Sequence, residues 1–190
     1  RNWAYSVDRF DPTWERHWRA QAFIEVLKEC NAKEILDVGS GAVYPTIFAR
    51  AGFKVHAVDI SHEAVGQVQE IAVKWNVNHL IGAQVGDACD LKFEDNYFDA
   101  VIQGELWEHI PDVEKVISEG LRVLKPGGYL IATSPIGTHH YDPFHLRTFD
   151  DKSIKELVEK FNSKSGVKKL EKIAEEGTDP SCYLVVLEKR

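Results

Sequence analysis

The sequence predicts an α/β fold, an open and mostly parallel sheet covered by helices on both faces, and three observations carry that prediction. Short apolar runs alternate strictly with helical segments between residues 34 and 134, the pattern of strands buried on both faces by crossover helices. The chain has 190 residues, 44% hydrophobic and 28% charged, enough for one well-filled core and short for two. The last two apolar runs follow each other through one turn signal, and strands so joined pair most easily as antiparallel neighbours.

Residues 14–28 place Trp14, Trp18, Ala22, Leu27 and the Phe23-Ile24 pair on one helical stripe, with Asp11-Pro12-Thr13 as the start signal. Residues 34–39 read as a short buried strand ended by glycine, and residues 43–51 as a helix ended by Gly52. Residues 54–59 form the second strand, Ser61 opens a helix toward Trp75, and residues 82–87 and 98–103 are strands three and four. A helix over 112–124 leads through the tight turn Lys125-Pro126-Gly127-Gly128 into a strand over 129–134. A helix over 151–161, with Asp150 as its cap, precedes strands over 167–173 and 182–187, joined by Gly177-Thr178-Asp179-Pro180.

Composition excludes several classes. The formal charge of −7 argues against a broad grip on nucleic acid, which rests on many Lys and Arg contacts. Cys30, Cys89 and Cys182 are odd in number and form no CxxC pair, so neither a disulfide framework nor a thiolate zinc site is expected. No stretch has the apolar length of a membrane span and residues 1–6 lack the apolar run of a signal peptide, so a cytoplasmic protein is expected. The absence of methionine, even at position 1, leads us to expect a segment of a longer polypeptide.

Open parallel sheets bind ligands at the carboxyl ends of their strands, where strand order reverses. The first strand ends in Asp37-Val38-Gly39-Ser40-Gly41, whose two glycines let the backbone bend and approach a ligand closely. Asp59 ends the second strand twenty residues after Gly39, where a carboxylate can accept from both hydroxyls of a ribose. Asp87 ends the third. Gly41 is followed by Ala42-Val43-Tyr44-Pro45, so both the full dinucleotide fingerprint and the Walker loop are absent. An acidic residue ahead of the loop suits a cationic group better than a phosphate. The ligand these residues describe carries a ribose, an adenine-like ring and a positive charge.

At these residues the sequence resembles the class I S-adenosylmethionine-dependent methyltransferases, over residues 30–190. Ile35 to Gly41, Val55 to Ser61, Gly86-Asp87-Ala88 and Phe98 to Gln103 with Glu105 are similar to their first four motifs, and Leu121 to Gly128 to the turn before their fifth strand. The resemblance implies a Rossmann-like, doubly wound, seven-stranded sheet with an antiparallel last strand. It implies S-adenosylmethionine as cofactor, with its amino-acid part held by Asp37, Gly39, Ser40 and Gly41, its ribose by Asp59, and its adenine by Ile60, Asp87 and Ala88. Gln103 would then line the floor beneath the sulfonium, with Glu105 beside it. Val43 stands where the family's loop has a third glycine. Residues 1–30 would form a lid on a core of residues 31–190, with Trp3, Tyr5 and Arg9 facing either the acceptor or the sheet edge.

The acceptor belongs beyond strands four and five. If 105–109 is a helical turn, Glu105, Glu108 and His109 share one face, a geometry that serves a base or a metal. His139, His140 and His145 follow strand five, and only the N-terminus and the segment from Pro135 to Asp150 remain to shape the pocket. His109, Glu108 and His140 are the candidate catalytic residues, although His109 can equally be a histidine hydrogen-bonded at a helix end. The Glu-x-x-Glu-His run resembles small-RNA 3′-terminal 2′-O-methyltransferases, which implies a divalent metal on Glu105, Glu108, His109 and either His140 or His145. It also resembles ubiquinone-type and small-molecule methyltransferases, where no metal is implied, and this is the preferred reading. The expected reaction is methyl transfer to oxygen or nitrogen of a small polar acceptor. The alternatives are the metal-assisted RNA-end enzyme and a non-catalytic cofactor-binding module. Arg147-Thr148-Phe149-Asp150 is expected only to lead into the next helix.

Overall fold

A computed structural model describes residues 17–137 and 143–190. Expectations resting on Trp3, Tyr5, Arg9, Trp14, His139 and His140 lie outside these residues. Seven strands, β1 (Glu34–Val38), β2 (Lys54–Asp59), β3 (Ile81–Val85), β4 (Phe98–Gly104), β5 (Leu124–Pro135), β6 (Ser165–Ile173) and β7 (Cys182–Lys189), form one sheet in the order β3-β2-β1-β4-β5-β7-β6. Pairings among β1 to β5 are parallel, whereas β7 runs antiparallel to both β5 and β6. The order reverses between β1 and β4, so the loops leaving these two strands flank a crevice at the carboxyl edge. The start of β7, at Cys182 opposite Pro135, lies at that same edge.

Two apolar layers cover the sheet. Helices α1 (Trp18–Glu29), α2 (Tyr44–Arg50) and α3 (His62–Lys74) lie on one face, where Phe23, Leu27, Phe48 and Ile71 meet Ile35, Ala100 and Ile102. Helices α4 (Val113–Val123) and α5 (Asp151–Glu159) lie on the other, with Ile117, Leu121, Ile154 and Val158 against Val101, Leu130 and Val185. In α1 the buried stripe is Ala20, Phe23, Ile24 and Leu27, a spacing of three and four that keeps one face inward. Ser61 caps α3, its hydroxyl accepting from the Ala64 amide at 3.2 Å, and Asp150 with Ser153 forms a capping box on α5. Among the described residues, no helix is long and apolar enough to cross a membrane.

The structure corrects three local expectations. Helix α1 begins at Trp18, and that ring is half-buried at a cavity rather than packed in the core. Strand β3 ends at Val85, which leaves Asp87 in the following turn, where its carboxylate accepts from the Cys89 amide at 2.8 Å. The Lys125–Gly128 turn is a bulge within β5, with Phe98 opposite Leu124 and Ala100 opposite Tyr129. Gly127 there has φ +76°, and a Cβ on Gly128 would lie 2.9 Å from the Asp99 carbonyl oxygen, so both positions need glycine.

Candidate active site

On the cofactor side, the glycine loop is folded back on β2. The Gly39 amide donates to Val58 O at 2.8 Å, and Gly39 takes φ +68° with Leu106 so close that a Cβ would come within 2.7 Å of it. Asp59 braces the loop: one oxygen accepts from the Gly41 amide at 3.0 Å and the other from the Ser61 amide at 2.9 Å. A carboxylate so placed keeps lone pairs for a further donor. Asp37 is 3% exposed, and its Oδ2 has no hydrogen-bond partner among the described residues. Burial, then the charge of Asp59, pushes the Asp37 carboxyl up to about 8. An orphaned buried carboxylate beside a second one is a site for a cation. Ile60 presents 77% of its surface next to Asp59, an unused apolar face at the mouth of the crevice. A ribosyl ligand with a cationic end fits these residues.

On the acceptor side, the residues after β4 do not form the expected helical turn. Glu105 is left-handed, φ +50°, with its amide on Thr133 O at 2.9 Å, and the turn starts one residue later with His109 N donating to Leu106 O at 3.0 Å. Glu105 therefore leaves the shared face and pairs with Arg19 of α1 at 2.7 Å. Glu108 stays. It is 1% exposed, accepts from Ser134 Oγ at 2.9 Å through one oxygen, and leaves the other without a partner among the described residues. Burial and the Glu105 charge hold its carboxyl well above the usual carboxylate range. His109 and His145 stand edge to face, ring centroids 4.7 Å apart, and a ligand-type atom from each of Glu108, His109 and His145 lies within 4.8 Å of the others.

Gln103 does not line the crevice. Its amide faces α4, where Oε1 accepts from Trp107 Nε1 at 2.7 Å and Nε2 donates to Val116 O at 3.0 Å, so it is a buried support for Trp107. Sequence reasoning also missed a cavity of about 310 Å³ lined by Trp18, Arg19, Glu105, Glu175, Thr178, Asp179, Ser181 and Cys182. The β6–β7 turn thus joins the start of α1 in shaping this edge. The signal was present: an antiparallel last strand must start at the edge where parallel strands end, which carries Gly177-Thr178-Asp179-Pro180 there. The Cys182 thiol in that wall is pushed up to about 12 by burial and by Glu105, which favours the protonated thiol.

Known proteins share this fold. The family described as "Methyltransferase domain" matches residues 36–132. Tocopherol O-methyltransferase, chloroplastic, from Arabidopsis thaliana is 33% identical over 55% of this chain and 30% of its own length. Sterol methyltransferase-like 1 from Botryococcus braunii is 28% identical over 76% of this chain and 40% of its own. The chain thus spans well under half of these curated relatives. The solved structure of a SAM dependent methyltransferase from Aquifex aeolicus superimposes with a TM-score of 0.76 at 20% identity, over 97% of each chain. With the matched family spanning the glycine loop and both flanking strands, the chain belongs to the class I, Rossmann-like S-adenosylmethionine-dependent methyltransferases.

Proposed function

We propose that the chain transfers a methyl group from S-adenosylmethionine to an oxygen or nitrogen of a small polar acceptor. The observation that carries this reading is a pair of buried carboxylates at neighbouring strand ends, Asp37 next to last in β1 and Glu108 after β4, each with one oxygen unpartnered among the described residues. Asp37, with Gly39, Ser40 and Gly41, would hold the cationic amino-acid end of the cofactor. Asp59 would hold the ribose, Ile60 would lie against the adenine, and Asp87 with Ala88 would meet its edge. Glu105, paired with Arg19, borders the same end. When bound, the cofactor supplies a methyl group already activated on a sulfonium, which leaves alignment and proton removal to the protein. Glu108 and His109 take the acceptor proton. The raised Glu108 carboxyl is a stronger base than an exposed glutamate once ionised. His140, outside the described residues, is proposed to contact the acceptor.

Arg19, Glu175, Thr178, Asp179 and Ser181, which share the wall of the cavity with Glu105, support an acceptor that carries a polar group. Relatives named an O-methyltransferase and an N-methyltransferase support oxygen or nitrogen as the receiving atom, while another is named a 24-C-methyltransferase. A tritium-transfer screen from labelled cofactor against metabolite and RNA pools tests the reading, and label in a small hydroxylated or amino metabolite is the expected result. Tight cofactor binding with no transfer to any pool would instead favour a non-catalytic cofactor-binding module.

One observation favours a second reading. The closeness of Glu108, His109 and His145 suits a divalent ion and a metal-assisted ribose 2′-O-transfer at an RNA end, with Glu105 outside the ligand set because of Arg19. Loss of turnover on chelation, restored by Mg²⁺ or Mn²⁺, would select it, and indifference to chelator would remove it.

A further inference from the structure

We infer that Arg147 is a positioning residue for methyl transfer: its guanidinium locks the turn that carries Glu108 and His109 to the segment that carries His145. The inference rests on the proposed reading of those three side chains as the acceptor-handling group.

The described residues on the two sides of the segment after β5 are tied to each other. The base of that segment is set where the Gly137 amide donates to Phe149 O at 2.8 Å, and where Ile136 bridges Phe149. The Phe149 ring, 4% exposed, packs edge-on against Trp107 at 6.5 Å and fixes that base in the core. Two residues inside the base, Arg147 spends its fork on three main-chain oxygens of the opposite turn: Nη1 donates to Trp107 O at 2.6 Å and to Ile110 O, and Nη2 to Pro111 O at 2.8 Å. The Leu146 amide adds a bond to Glu108 O at 2.8 Å, and His109 Nδ1 lies 3.3 Å from Phe144 O.

These contacts bracket His145 on both sides and set its ring 4.7 Å from that of His109. Carbonyls at residues 107, 110 and 111 come from a turn with no helix to satisfy them, and a rigid planar fork is the side chain that meets several such oxygens at once. A lysine ammonium keeps the charge and loses the fork. Arg147 touches no reacting atom; it acts through Glu108, His109 and His145, because misplacing acceptor groups by about 1 Å is enough to cost roughly 100-fold in rate.

Arg147→Ala and Arg147→Lys test this in the whole chain, with S-adenosylhomocysteine as the binding probe. In Arg147→Ala, S-adenosylhomocysteine affinity is expected to stay within about threefold, exchange of the Leu146 amide hydrogen to quicken by about tenfold or more while β1 and β4 amides keep their protection, and kcat to fall roughly 100-fold with KM nearly unchanged. Arg147→Lys should fall between. Unchanged Leu146 exchange, or unchanged kcat, overturns the inference, as does a parallel loss of S-adenosylhomocysteine affinity and of core protection. If Arg147→Ala does not fold, Arg147→Lys is judged by the same measurements. If the wild type methylates no acceptor, the function proposed above fails on its own, and the Leu146 exchange still decides whether Arg147 locks the two segments.

Discussion

Asp37, next to last in β1, has one oxygen lacking a partner among the described residues and a carboxyl pushed up to about 8, first by burial and then by Asp59. Between its ordinary value of 3.8 and about 8, the folded chain holds a proton that the unfolded chain has released. That contribution to stability is complete below the unfolded value and is lost as pH rises through the folded one. The ligand-free chain should therefore melt lower at pH 9 than at pH 6, and Asp37→Asn should flatten the difference in a calorimetric scan. A cationic ligand needs the ionised form, so its affinity should climb by up to about tenfold per pH unit below 8. Glu108 is the matching residue on the acceptor side. Glu108→Gln keeps shape and loses the base, and should lower kcat by about 10²- to 10⁴-fold while S-adenosylhomocysteine affinity holds.

Helix α4 approaches the sheet through Gly120, where a Cβ would lie 2.7 Å from Gln103 Nε2 and 2.8 Å from Leu130. Gly120→Ala must push α4 outward or break the Gln103 bonds, and should cost roughly 1–3 kcal/mol of stability, read as a lowered Tm. Elements of this kind were legible before the structure, because the alternation of apolar runs with periodic helices depends on local pattern alone. The turn after β4 was not. Its sequence spacing suits a helix, but the left-handed Glu105 goes with two contacts remote in sequence, Arg19 and Thr133 O, that no local pattern reports. The same reason hid the role of Arg147, whose partners lie 36 to 40 residues away. Gln103 was misread because a strand's two faces alternate, and only the structure shows its side chain on the α4 face.

At the scale of the whole molecule, the sheet gathers Asp37, Asp59, Glu105 and Glu108 at one edge, placing part of the formal −7 charge around the crevice. The positions of Asp37 and Asp59 could be read in advance because both lie at or beside the ends of strands. The cavity beside Glu105 draws on the start of α1 and on the β6–β7 turn, which meet only once the sheet is assembled. A ligand bridging the strand ends should stabilise the entire fold. At about 100 times its Kd, S-adenosylhomocysteine should add about 2.7 kcal/mol, a rise in Tm of roughly 5–10 °C. The orphaned Asp37 carboxylate is proposed as the anchor for the cationic end of the cofactor. Calorimetric titration of S-adenosylhomocysteine into the wild type and Asp37→Asn at pH 8 tests it most directly. One-to-one binding weakened roughly 30- to 150-fold by the substitution, ~2–3 kcal/mol, is the predicted result; equal affinity in the two proteins, or no binding to the wild type, would contradict it.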